Sequence, residues 1–197
     1  MHQAALLSET KEDMKNAGIS VSEEAHNWQT MVTTVTKHIK TLNWGYKTEL
    51  IKAGVKYFNM YAKLVDPHTI HLDDGKKQQT VTADKIVIAC GGRPTYPDIP
   101  GAKEFGISSD DIFWKKENPG KTLVIGASYV ALECAGFMHG IGLDVTVMVR
   151  SILLRGFDQD MANLIGKHMK ENGVNFIEGA VPEKLEKPGE KIIVTYK

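Results

Sequence analysis

The chain has 197 residues, 42% of them hydrophobic, enough to bury a core and to form one or two domains. Its 24 basic and 24 acidic residues cancel at pH 7 and no block of like charge stands out, which argues against nucleic acid and acidic membrane surfaces as partners. No apolar run approaches the roughly 20 residues of a membrane span, and Cys90 and Cys134 make neither a C-x-x-C nor a metal-ligand spacing, so the expectation is a soluble, cytoplasmic protein with no metal.

The first segment reads as a helix. Ala4, Leu7, Lys11 and Met14 recur at helical spacing, and Gly18 supplies a C-terminal stop. A second helix is expected from Ser22, whose hydroxyl would cap it, with Glu23 and Glu24 well placed in the first turn. Trp28, Met31, Val32, Val35, Ile39 and Leu42 then form one apolar stripe, expected to be core packing along its length. Gly54 ends this helical region.

From Val55 the character changes to β. Strands are expected over 55–61, 62–65 and 69–72, and Asp73-Asp74-Gly75 is a hairpin turn signal followed by a return strand over 79–82. The apolar run 85–89 predicts a buried strand. It ends at Cys90-Gly91-Gly92, where glycines permit the close approach of a ligand. Pro94, Pro97, Pro100 and Gly101 mark an extended crossing between domains, and Ser108 is expected to cap a short helix containing Asp110, Ile112 and Phe113.

Residues 121–155 are the stretch around which the rest is organised. Leu123-Val124-Ile125 predicts a buried parallel strand, and at Gly126 the pattern turns helical, with Val130, Cys134 and Phe137 in phase. Val145–Val149 supplies the next strand. Strand, glycine turn, helix and strand make the βαβ unit that seats a dinucleotide pyrophosphate on a helix N-terminus. Gly126-Ala127-Ser128-Tyr129-Val130-Ala131 matches G-x-G-x-x-A with Ser128 in place of the middle glycine. About 20 residues on, NAD sites place Asp or Glu on the ribose. Here stand Arg150 and Ser151, with Arg155 close behind. Two guanidinium groups and a hydroxyl suit the 2′-phosphate of NADP through charge-assisted hydrogen bonds. The competing reading is a basic pair on the surface after a core strand.

Beyond Arg155, Asp158 is expected to cap an amphipathic helix whose buried face carries Met161, Leu164, Ile165, His168 and Met169, with Gly173 as its stop. Residues 174–177 read as a third strand, and 191–195 as the start of another element. No repeat, histidine pair or Ser-His-Asp grouping stands out.

The words GKTLVIGASYVALECAG and DVTVMVRSILLRGFDQ resemble the NADPH domain of the high-molecular-weight, animal-type thioredoxin reductases, within class I of the pyridine nucleotide-disulfide oxidoreductases. The resemblance continues through TLNWGYK and GRPTYPDIPGAKEFGISSDD back to MHQAALL, covering essentially the whole chain. It implies an α/β fold of two Rossmann-like domains, binding FAD and NAD(P), the first incomplete and carrying an antiparallel β-meander insertion. Residues 1–92 would be the C-terminal part of the FAD domain, and 93–197 a truncated NADPH domain. The implied NADPH contacts are Gly126, Ala127, Ser128, Tyr129, Val130, Ala131, Glu133, Arg150, Ser151 and Arg155.

The same resemblance bears on the flavin. Ala89-Cys90-Gly91 is similar to an A-T-G signature near FAD, with Cys for Thr. Tyr61-Ala62 is similar to a Tyr-Gly pair at its adenine, with Ala for Gly. The competing reading is a strand end and a turn with no ligand. Tyr129 matches a tyrosine that covers the flavin until nicotinamide displaces it, and Glu133 matches the partner of a lysine near the redox cysteines. Both are gating candidates on one helical face. For Tyr129 the alternative is ordinary helix–sheet packing. Cys134 is expected to be a small buried hydrophobe, and Cys90 no redox thiol.

In the intact family, hydride passes from NADPH to FAD, to a cysteine pair, and then to a terminal redox pair that reduces thioredoxin, within a homodimer. The redox cysteines and the general-acid histidine fall outside this chain, so no catalytic residue is assigned. An internal fragment, inactive and colourless by itself, is the expectation. Alternatives are thioredoxin-glutathione reductase, glutathione reductase, and a truncated product that binds NADPH without catalysis.

Overall fold

The computed structural model describes every residue except Glu23, whose expected place in a first helical turn lies outside the described residues. In chain order the elements are α1 (His2–Asn16), α2 (Trp28–Lys52), β1 (Tyr61–Asp66), β2 (Thr69–Asp73), β3 (Gln78–Thr82), α3 (Ala102–Phe105), β4 (Thr122–Ile125), α4 (Tyr129–Gly140), β5 (Val145–Val149), α5 (Gln159–Glu171), β6 (Asn175–Glu178), β7 (Pro182–Glu186) and β8 (Ile193–Tyr196). A single 3-10 turn, Asp111–Phe113, precedes β4. The chain divides into two compact units: Met1–Lys37 with Pro94–Lys197, and His38–Arg93.

The larger unit is built on a parallel sheet in the order β4-β5-β6, with Thr122 opposite Val145 and Val147 opposite Phe176. Paired on both edges, β5 loses solvent on every side. Val145, Val147, Met148 and Val149 are at most 2% exposed, which accounts for an almost wholly apolar strand. On α4, Leu132, Ala135, Phe137 and Met138 are buried, and α1 lies against this helix. Their crossing is close: a Cβ on Gly140 would sit 2.6 Å from the Cβ of Ala5. The antiparallel pair β7–β8 is tied in through the Leu185 N–H, which donates to the Pro100 carbonyl at 2.9 Å.

Two helices differ from the sequence expectation. Helix α2 starts at Trp28, not at Ser22, because Asn27 caps it, its Oδ1 accepting from the Thr30 N–H at 2.9 Å. The Ser22 hydroxyl instead accepts locally from the Glu24 N–H, and the Trp28 indole N–H anchors the new start on the Lys115 carbonyl at 2.8 Å. Of the α2 stripe, Trp28, Met31 and Val32 are buried, Val35 and Ile39 are half-buried, and Leu42 is exposed. Periodicity marks a face; burial requires something to cover it.

Helix α5 is capped as expected, the Asp158 Oδ1 accepting from the Met161 N–H at 3.0 Å. Its buried residues are Ala162 and Gly166, with Met169 half-buried, while Met161, Leu164, Ile165 and His168 are exposed. At Gly166 the Leu153 side chain fills the place a Cβ would take, an approach too close for a larger side chain.

The smaller unit holds the expected meander, β1-β2-β3, with Tyr61 opposite Asp73 and His71 opposite Thr80. In its second turn the Asp74 Oδ1 accepts from the Lys76 and Lys77 N–H groups at 2.8 and 2.7 Å, with Gly75 at φ 80°. These bonds, that from Lys77 foremost, hold the Asp74 carboxyl below its usual range. Gly54, at φ 72°, ends α2, and the Val55 N–H reaches back to the Leu50 carbonyl at 2.9 Å.

Two expected strands are absent from this unit. Residues 55–60 are not strand, which begins only at Tyr61, and 85–89 form no strand either. Val87 is 86% exposed and Ile88 72%. A buried strand needs a ladder partner and a covering layer, and no described strand pairs with this run.

Candidate functional site

The site is built where β4 gives way to α4. Gly126 takes φ 127°, a conformation that excludes ordinary side chains, and its N–H donates to the Met148 carbonyl at 3.0 Å. Ser128 follows in extended backbone and caps α4, its hydroxyl facing the Ala131 N–H at 3.5 Å. The missing middle glycine is thereby explained, since a capping residue stands in its place. Ala131 provides the close packing of the third fingerprint position, 3.8 Å from where a Gly126 Cβ would lie. The first N–H groups of α4, at Tyr129 and Val130, have no acceptor within the helix and carry the positive end of its dipole.

The loop after β5 supplies the charge. Arg150, Ser151 and Arg155 are all exposed. The Arg155 Nη2 donates to the Ser151 hydroxyl at 2.7 Å, so two of the three expected residues are already in register. The Leu154 N–H donates to the Ala127 carbonyl at 2.8 Å and ties this loop directly to the glycine turn. The fold therefore brings together the helix N-terminus and the basic loop, a donor set suited to a phosphate-bearing anion.

Tyr129 is 56% exposed, so its ring is not taken up by helix–sheet packing, and Glu133 one turn on is exposed as well. The flavin candidates lie in the smaller unit. Tyr61 and Ala62 open β1, and Cys90 and Gly91 sit in an unpaired run; all four are exposed, and no hydrogen bond joins the two pairs among the described residues. Gly91, at φ 67°, keeps a backbone that requires glycine.

Sequence reasoning did not single out two features of this region. Gln159, in the first turn of α5, points its side-chain amide at the carbonyls of Leu153, Leu154 and Phe157. A hollow of about 340 Å³ beside Ser151 is lined by Asn163, Lys167 and Lys170, and Lys170 pairs with Glu178 at 2.7 Å. Both are tertiary in origin; the only local sign was a polar residue following the Asp158 cap.

Cys134 packs against the core, and burial first, then the neighbouring Glu133, push its thiol pKa up. Cys90 is exposed. An aryl disulfide reagent at neutral pH is expected to modify Cys90 rapidly and Cys134 slowly; a single rate for both thiols would contradict the burial of Cys134. Because the folded-state pKa is raised, the contribution of Cys134 to stability is complete below the ordinary thiol range and lost as the pH rises from there through the raised value. Among the described residues no group of three or more His, Cys, Asp or Glu could hold a metal ion, and no helix is long and apolar enough to cross a membrane.

The sequence profile of the pyridine nucleotide-disulphide oxidoreductases matches residues 2–197. Thioredoxin reductase SEP1 of Emiliania huxleyi is 60% identical over 187 residues, which are 94% of this chain and 38% of that protein. The chain thus spans well under half the length of this relative. Among solved structures it is similar to the HOCl-induced flavoprotein disulfide reductase RclA of Escherichia coli, in its Cu(II) complex. The TM-score is 0.78 at 20% identity, covering 86% of this chain and 39% of that one. A cysteine-to-serine mutant of RclA, also in its Cu(II) complex, gives 0.72 at 21%, covering 84% and 39%. At such identities the likeness is one of fold.

Proposed function

We propose, because this chain belongs to the pyridine nucleotide-disulphide oxidoreductase family, that its larger unit is the nicotinamide-nucleotide platform of a flavoprotein thioredoxin reductase and selects NADPH over NADH. The observation that supports the choice of nucleotide is the Leu154-to-Ala127 hydrogen bond, which ties the loop carrying Arg150, Ser151 and Arg155 to the glycine turn. The α4 N-terminus, with Gly126, Ala127, Ser128, Val130 and Ala131, would hold the pyrophosphate. The two arginines and Ser151 would hold the 2′-phosphate, where an acidic residue would repel it.

When bound, the nicotinamide supplies a hydride. The chain's own residues bind, orient and shield. Tyr129, exposed at the start of α4, would cover the reacting face and exclude water, and Glu133, one turn on along the same helical face, would steady it. Tyr61, Ala62, Cys90 and Gly91 would supply flanking contacts to FAD, Gly91 through backbone free of a side chain. Thioredoxin as the final acceptor, and a homodimer as the working form, are part of the same reading, as is a cytoplasmic setting. The 60% identity to a thioredoxin reductase favours this over glutathione reductase.

Calorimetric titration of the chain with each nucleotide tests the platform. NADPH is expected to bind at least tenfold more tightly than NADH, about 1.4 kcal/mol. Equal affinities would overturn the assignment.

A further inference from the structure

Leu154 is the only non-glycine residue at positive φ among the described residues, at 46°. L side chains rarely adopt this conformation, and where it persists the surroundings over-determine it. Here they do. The Leu154 side chain is buried and its N–H is held by the Ala127 carbonyl at 2.8 Å. Its carbonyl accepts from the Phe157 N–H at 2.9 Å and from the Gln159 side chain at 3.5 Å. The same Gln159 amide reaches the carbonyls of Phe157 at 3.1 Å and Leu153 at 3.4 Å. One half-buried side chain therefore gathers three carbonyls of the loop and fastens them to α5.

Arg155 sits inside this clasp, its guanidinium drawn back to Ser151. We propose that Gln159, acting through the left-handed Leu154, is a positioning residue that sets the preference for a 2′-phosphorylated nucleotide, by fixing the 150–155 loop against the glycine turn. It is not among the groups that would touch the nucleotide. The inference rests on the NADPH reading above and adds what holds the arginines in place. Without the amide, the loop carbonyls turn to water, the left-handed backbone relaxes, and the backbone that carries both arginines is no longer fixed. The pyrophosphate cradle and the Asp158 cap remain.

The test compares the chain with Gln159→Met, which keeps length and packing but not the amide. NADPH, NADH and adenosine 2′,5′-bisphosphate are titrated against each, with melting temperatures recorded in parallel. The expected result is a fall of at least fivefold in affinity for NADPH and the bisphosphate, with NADH within twofold of the unaltered chain. Leu154→Gly, which accepts φ 46° and keeps the N–H, is expected to lower the melting temperature while retaining the NADPH-to-NADH ratio. An unchanged ratio in Gln159→Met overturns the proposal, and so does an equal loss for both nucleotides, the mark of a merely structural role. Should Gln159→Met fail to fold, Gln159→Leu is read by the same criteria. If the unaltered chain shows no preference, the NADPH reading fails first and this inference with it; a preference that survives Gln159→Met sinks the inference alone.

Discussion

Arg150→Ala is expected to weaken NADPH binding by roughly 10- to 100-fold and to leave NADH binding almost unchanged. Hydrogen bonds to charged groups contribute about 1.5–3 kcal/mol each, and a guanidinium meeting a phosphate is the charge-assisted, bidentate case. Arg155→Ala should behave alike and should also free the Ser151 hydroxyl that its Nη2 now engages. Both side chains are exposed, so the effect should shrink as salt rises and screens the pair. Titrations at two ionic strengths measure it. Equal losses for the two nucleotides would place the arginines away from the 2′-phosphate.

Ala131→Leu is expected to cost about 1–3 kcal/mol of folding stability through overpacking, a drop of several degrees in melting temperature at roughly 2–4 °C per kcal/mol for a chain of this size. Ala131 is half-buried, and its Cβ lies 3.8 Å from where a Cβ of Gly126 would be. A leucine there pushes α4 away from the end of β4. Its N-terminal N–H groups then move off the pyrophosphate position. NADPH and NADH should therefore lose affinity together, the opposite pattern to Arg150→Ala. An unchanged melting temperature together with unchanged affinities would mean that the glycine turn does not hold the ligand.

The contrast between these variants follows how information is distributed along the chain. Local chemistry was readable from single residues and their spacing. The apolar run Val145–Val149 implied a strand. Asp158 implied a cap, Asp73-Asp74-Gly75 a turn, and a glycine before a small-residue helix a phosphate-binding bend. Each depends on backbone preferences and hydrogen bonds spanning a few residues, so neighbours in sequence suffice to determine it. The basic character of the 150–155 loop was legible on the same footing.

Other features waited on packing. Met161, Leu164 and Ile165 have the hydrophobicity of a buried face, yet α5 turns Ala162 and Gly166 inward, and at Gly166 the Leu153 side chain fills the place of a Cβ. The run 85–89 is apolar enough for a core strand but is exposed where no described strand pairs with it. Asn27, not Ser22, caps α2, next to a Trp28 whose indole N–H meets the Lys115 carbonyl, 87 residues away. The candidate site divides in the same manner. Its residue types stood in the sequence. That the 150–155 loop is tied to the glycine turn depends on one bond from Leu154 to Ala127 and on a glutamine reaching three carbonyls. Those contacts join segments whose separation no local preference encodes; they form only when β4, β5 and α5 have packed and left the loop a single way to satisfy its polar groups.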